Sequence, residues 1–282
     1  MNILTFDIED WFHILDNDST KTEQEWSRFP ARIHENMDRI FSLLDELNQP
    51  ATFFCLGWVA QKYPEVLRAI DERGHEIGTH SHMHQLVFEQ TPQQFREDLE
   101  TSIKAIEDAV GKRVKAYRAP GFSVTKEVFW VYDILPELGI EVDCSVFPAP
   151  RAHGGVPHIQ TRTPFYIERN GVRIKEFPMT FHKVGGFRSV FSGGGYFRLL
   201  PYSVINNLTG RSDYMMTYFH PRDFDADQPM IEGLSKVRQF KSYYGLKEAF
   251  PKLSRLVKAH DFVDLRTADA AVDWDSVPVH AF

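Results

Sequence analysis

NILTFDIED, residues 2–10, runs from an apolar segment straight into three carboxylates, Asp7, Glu9 and Asp10. Asn2 to Phe6 reads as a buried strand, and an aspartate closing such a strand is poorly suited to a core unless it is paired. In a parallel α/β sheet, ligand sites gather at the carboxyl ends of the strands. The acids could instead cap the loop that follows, yet three of them in four positions exceed what one cap requires.

Further along, strand-like apolar runs alternate with helical patterns, the mark of βα units around a parallel sheet. Ile33, Met37, Ile40, Phe41, Leu44 and Leu47 recur at helical spacing, so 31–47 should be an amphipathic helix. ATFFCLG (51–57), HEIGTH (75–80), KAYRAP (115–120) and IEVDCSV (140–146) read as the next strands. The helices between them run through Val66, Leu67 and Ile70 as far as Gly74, from Thr91-Pro92 through Ile106, and over 124–139. From about 148 to 200 glycine, proline and arginine become frequent, and FYIERNGVRIKEF (165–177) reads as a hairpin turning at Asn170-Gly171. YMMTYFH (214–220) is a late strand, helices follow around 233–258, and a last strand is expected near Phe262 to Leu265. The reading is one α/β domain with 148–200 as a rim insertion rather than a second domain.

Four histidines crowd HEIGTHSHMH: His75, His80, His82 and His84. His80 and His84 are four apart, which on one helical turn would put both imidazoles on one face, suited to a single metal ion. His82 would then point elsewhere, and His75 would sit at the strand entrance. Since HEIGTH should end in the same layer as TFDIED, these histidines are expected to face the acids.

The chain of 282 residues has 43% hydrophobic and 25% charged residues, the balance of a folded protein with a sizeable core. A formal net charge of −7 speaks against nucleic acid or an anionic membrane as partner. Two cysteines, Cys55 and Cys144, exclude a disulfide framework and suit a reducing compartment. No secretory signal and no membrane-spanning run is read, so the expected location is cytoplasmic.

TFDIED (5–10), HSHMH (80–84) and RAPGF (118–122), in that order and spacing, resemble the polysaccharide deacetylase (NodB-homology) family, carbohydrate esterase family 4. The resemblance runs from residue 2 to about 265 and is nearest to a branch whose first motif reads Asp-x-Glu-Asp or Asp-x-Asp. That branch also includes peptidoglycan deacetylases and allantoinase-like members. It implies a distorted (β/α) barrel, with 1–282 as one catalytic domain.

The resemblance also implies roles. Asp7 matches the family's base, and Arg118 matches the arginine that holds the base ionised and oriented. His80 and His84 match two ligands of a divalent ion, most plausibly Zn²⁺. The metal carboxylate has two readings: strand alternation puts Asp7 and Glu9 on one face, whereas a chain turning after Ile8 would present Asp10. Asp10 is expected because the shorter acid matches the family's ligand type, with Glu9 as the alternative. His220 in TYFHPRDFD matches the catalytic histidine, with Asp223 and Asp225 near enough to keep it charged. Asp143 in VDCS resembles the fourth motif.

The implied reaction is hydrolysis of the acetamide of an N-acetylated amino sugar in a cell-surface polysaccharide or its precursor. Trp11, Phe12, Phe187, Phe191, Tyr196 and Phe197 could line a sugar-stacking rim. Competing readings are a cyclic-amide hydrolase of the allantoinase-like kind and a non-catalytic carbohydrate-binding subunit contacting sugar through the glycine-rich 185–197.

Overall fold

The computed structural model of the chain describes residues 1–15, 17–150, 153–184 and 187–282. Leu4 divides the first expected strand into β1 (Asn2–Ile3) and β2 (Thr5–Ile8). From β2 the sheet continues through β3 (Thr52–Cys55), β4 (Glu76–Thr79), β5 (Ala116–Tyr117) and β6 (Val142–Asp143), each parallel to the one before it. The expected hairpin forms β7 (Phe165–Arg169) and β8 (Val172–Glu176), and β8 joins the sheet parallel to β6. Its turn holds Asn170 at φ 50° and Gly171 at φ 79°, the left-handed pair that a two-residue hairpin requires. A short antiparallel pair, β9 (His182–Val184) and β10 (Phe187–Ser189), follows it.

On the other side of the first strand runs the late strand. β11 (Met215–Met216) is parallel to β1, and a further parallel bridge joins Phe6 to Phe219. Among the described residues the array does not close through a continuous backbone ladder. Instead the Thr180 hydroxyl accepts the Met216 amide at 3.1 Å, and the Tyr214 hydroxyl donates to the Pro178 carbonyl at 2.8 Å. Side chains thus bridge the gap of a distorted barrel.

The helices cover the outside. α1 (Glu23–Trp26) precedes α2 (Ile33–Leu47), which buries Ile33, Met37, Ile40, Phe41 and Leu44 and stops at Asn48 in the left-handed region. α3 (Gly57–Lys62) and α4 (Pro64–Glu72) follow β3. α5 (Pro92–Val110) begins with a capping box between Thr91 and Gln94 and ends at Gly111, φ 68°. After α6 (Val131–Glu137) come α7 (Gly194–Leu199), α8 (Tyr202–Gly210), α9 (Lys236–Tyr243), α10 (Leu246–Ala259) and α11 (Leu265–Ala271). The main core joins both halves of the chain, packing Phe6, Phe53, Ile40 and Leu44 with Ile205, Phe219 and Leu253.

Two expectations need correction. The helix read over 124–139 is a 3₁₀ turn at Lys126–Val128 followed by α6. The last strand near Phe262 to Leu265 is a single bridge from Val263 to Ile3, because the Asp264 side chain caps α11 by accepting the Thr267 amide. The sheet gains instead an edge strand, β12 (Val279–Ala281), parallel to β7. Its sequence, VHA, carries no alternating pattern long enough to announce it. Cys55 and Cys144 are both buried and unpaired.

Replacing Thr180 by Val keeps the shape but leaves the Met216 amide without its acceptor. Thr180→Val should therefore lower stability by about 1–3 kcal/mol, read as a shifted urea midpoint with an unchanged m-value.

Candidate active site

The strand register decides which side chains meet. Asp7 pairs with Phe54, Phe54 with Gly78, Thr79 with Tyr117, and Tyr117 with Asp143. The residues at or just past the carboxyl ends therefore form one layer holding Asp7, His80 and Arg118. Arg118 is fully buried, and its Nη1 donates to Asp7 Oδ1 at 2.6 Å and to Thr5 Oγ1 at 2.9 Å. The guanidinium lies over the Phe54 ring, 4.2 Å from its centroid. This fixes the orientation of the Asp7 carboxylate within the barrel mouth.

His80 and His84 come together, but not on a helix. Residues 80–84 form a bend in which Ser81 (φ 69°) and His84 (φ 52°) take left-handed backbone. The carboxylate of Asp98 on α5 accepts the amides of His82 and Met83 at 2.8 and 2.9 Å, and Ser81 Oγ accepts that of His84 at 3.0 Å. The two imidazole centroids end 5.3 Å apart. Asp98 was invisible in the sequence, where it reads as an ordinary polar helix position. His82 is only half-buried and faces Gly57, and His75 packs on Phe53 at the strand entrance.

The structure separates the two candidate carboxylates. Asp10 accepts the backbone amides of Trp11 (2.8 Å), Arg32 (2.9 Å) and Ile33 (3.2 Å), so it serves the start of α2. Burial pushes its pKa up to about 6 against those three donors. Glu9, not Asp10, faces the imidazoles: Oε2 lies 2.9 Å from His84 Nε2, and Oε1 lies 3.5 Å from His220 Nε2. Burial would raise the Glu9 pKa, but His84, His220 and His80 together hold it well below the usual carboxylate range. The strand does end at Ile8, but the turn that follows at Trp11 and Phe12 leaves Asp10 directed onto the start of α2 and Glu9 toward the imidazoles.

His220 follows the late strand and lies on the opposite side, with Nε2 3.9 Å from Asp7 Oδ2. Its Nδ1 meets Asp223 Oδ2 at 2.9 Å, and Arg198 Nε stands 3.1 Å from the other Asp223 oxygen. Burial alone would lower the pKa of His220, yet Asp223, Glu9 and Asp7 raise it to about 9. Asp225, expected to share this task, is instead held by Arg32 and Asn36. Arg198 carried no signal in the sequence.

Asp143 is fully buried below this layer, accepting from Ser145 Oγ at 2.5 Å. Of the aromatic residues expected at a rim, Trp11, Phe12, Phe191 and Phe197 are core residues, and Tyr196 is exposed. Gly185 and Gly186 of the glycine-rich stretch, and the Phe187 side chain, lie outside the described residues.

Among the described residues, no three His, Cys, Asp or Glu side chains form a ready-made metal cluster. The donor chemistry nevertheless suits a divalent ion. His80 Nδ1 donates to the Arg118 carbonyl at 2.8 Å, which leaves Nε2 with its lone pair, and burial lowers its pKa to about 4, so the ring is neutral. Glu9 Oε2 is buried, and it stands 2.9 Å from His84 Nε2 without making a well-formed hydrogen bond. An ionised carboxylate oxygen beside two imidazoles is the donor set of a His₂-carboxylate site.

Comparison with known proteins bears on the fold and the family. Residues 3–141 match the family model described as polysaccharide deacetylase, and residues 144–270 match a domain of unknown function, DUF3473. Over 82 residues, 29% of this chain, the sequence is 32% identical to the peptidoglycan deacetylase of Helicobacter pylori. Over 81 residues it is 37% identical to chitin deacetylase 1 of Saccharomyces cerevisiae. These matches span only 28% and 27% of those relatives' own lengths. A candidate polysaccharide deacetylase from Mycobacterium smegmatis superposes with a TM-score of 0.68 at 19% identity, covering 98% of this chain and 91% of that one. A family 4 carbohydrate esterase pseudoenzyme from Bacillus anthracis gives 0.52 at 14% identity, covering 100% and 69%. Residues 3–141 carry a polysaccharide deacetylase domain, and the chain as a whole shares the fold of NodB-type carbohydrate esterase family 4 structures.

Proposed function

We propose that this protein is a metal-dependent N-deacetylase that hydrolyses the acetamide of an N-acetylated amino sugar in a cell-surface polysaccharide or its precursor. The observation that carries this reading is the convergence of two opposed proton-transfer groups on one donor set. Asp7 is held by Arg118, His220 is held by Asp223, and Glu9, His80 and His84 stand between. The peptidoglycan and chitin deacetylases among the relatives support the substrate class.

His80, His84 and Glu9 would hold the ion, in preference to Asp10. When bound, a divalent ion such as Zn²⁺ supplies Lewis acidity toward the acetamide carbonyl and a water of lowered pKa. Asp7 accepts the proton of the attacking water, its free Oδ2 turned toward the site while Oδ1 is engaged by Arg118. His220 enters the reaction protonated and donates from Nε2 to the departing amine nitrogen. The products are acetate and a free amino sugar.

Substituting Asp7 by Asn should leave metal binding intact and lower turnover by about 10²–10⁴-fold, measured as acetate release from N-acetylglucosamine oligomers. Activity equal to the parent would remove Asp7 from the base role. Ureide ring opening without acetate release would favour the cyclic-amide reading, and sugar binding without turnover would favour a binding subunit.

The two carboxylates can be told apart by zinc content. Glu9→Gln should lose stoichiometric zinc, whereas Asp10→Ala should keep it and lose about 1 kcal/mol of stability with the capping contacts of α2. The opposite pattern would restore Asp10 as the ligand.

The raised pKa of His220 has a signed consequence. Its charged form is present, with the stability it contributes, below the unfolded value of 6.5, and both are lost as pH rises through about 9. Turnover should therefore fall on the alkaline side near that pH. Asp223→Asn should draw this limb toward neutrality, as read from the pH profile of kcat.

A further inference from the structure

Behind the site runs a chain of hydrogen bonds that share one direction. His80 Nδ1 meets the Arg118 carbonyl oxygen at 2.8 Å, and a carbonyl only accepts, so Nδ1 carries the proton. The same peptide unit continues on its other side: the Ala119 amide donates to Ser145 Oγ at 2.8 Å. Ser145 in turn donates its own proton to Asp143 Oδ1 at 2.5 Å. A distance this short is typical of a hydroxyl donating to an ionised carboxylate.

Asp143 pairs across the sheet with Glu176, and both are fully buried. Glu176 Oε1 accepts the Val146 amide at 3.0 Å. Two adjacent carboxyls away from water share a single proton. Burial raises both, Glu176 also because it lies beside Asp143, and with one proton between them the pair carries one negative charge. That buried charge, which Ser145 reaches through Asp143 Oδ1, ends a line of four polarised groups whose other end is an imidazole facing Glu9 and His84.

We propose that Ser145 and Asp143 are positioning residues that act through the Arg118–Ala119 peptide to fix the tautomer of His80 and raise the basicity of its Nε2. This deepens the metal reading of the proposed function and rests on it. The more familiar arrangement has a carboxylate or carbonyl directly on a ligating histidine. Here a carbonyl makes that contact, and a serine and an aspartate polarise the carbonyl from behind. The same peptide carries the Arg118 guanidinium that grips Asp7, so one serine steadies both the ligand and the holder of the base.

The test is zinc affinity, measured by competition with a chromophoric chelator on the whole chain, beside the thermal midpoint of each variant. Ser145→Ala should weaken zinc binding about 10–100-fold, and Ser145→Thr, which keeps the hydroxyl, should recover most of the loss. Asp143→Asn removes the charge but keeps an acceptor, and should give an intermediate loss; it carries the test should Ser145→Ala not fold. Parent-like affinity in both Ser145→Ala and Asp143→Asn would overturn the relay and leave the metal reading standing. An equal loss in the Thr and Ala variants would mark a packing defect and likewise overturn it. A parent chain that binds no zinc would instead remove the metal reading itself, and the relay with it.

Discussion

The ion pair between Arg118 and Asp7 is the constraint on which the site depends. Both partners are buried, and a guanidinium without solvent is tolerable only with its charge opposed. Asp7 opposes it and shares Nη1 with Thr5, Nη2 meets the Met216 sulfur, and the faces of Phe54 and Phe122 cover the group, while Nε has no hydrogen bond among the described residues. Such pairs contribute little net stability compared with well-packed apolar residues, and breaking one strands a charge. What the pair contributes here is orientation. It ties the fifth strand to the second through the barrel interior and sets the angle from which Asp7 faces Glu9 and His220.

Around that pair the electrostatics divide. On one side burial keeps His80 neutral, as a lone-pair donor must be. On the other side three carboxylates outweigh burial and keep His220 charged. Two imidazoles in one cavity thus hold opposite protonation states for reasons legible in their neighbours. Asp223 makes the larger difference, since it contacts His220 directly while His80 contacts only a neutral carbonyl.

Much of this was legible in the residue order. The strand ending at Asp7, the paired histidines, Arg118 beside apolar neighbours and the hairpin at Asn170-Gly171 announced themselves because each rests on local pattern. What failed was decided by backbone direction over one or two residues. The choice between Glu9 and Asp10 turned on where the chain leaves the strand, and the answer lay in the distant amides of Arg32 and Ile33. The helical geometry assumed for His80 and His84 gave the right meeting by the wrong route, since a bend held by Asp98 brings them together. Arg198 and Asp98 were hidden because nothing local distinguishes a surface charge from one that folds inward. The aromatic rim dissolved for the opposite reason: Trp11, Phe12, Phe191 and Phe197 were needed to fill the core.

The pairing of the first strand with the stretch around Thr217 bears on how the chain assembles. Thr5 and Thr217, 212 residues apart, exchange backbone and side-chain hydrogen bonds. Until that late segment has been synthesised, one flank of the opening strand has no neighbour, and an unpaired strand edge is a template for association with other chains. The closure also demands a long loop, which slows folding. A nascent chain would therefore carry Asp7 and its histidine pair well before it could acquire His220. During translation the molecule passes through a period in which its opening strand has one unpaired edge, a vulnerability that falls to chaperones to cover.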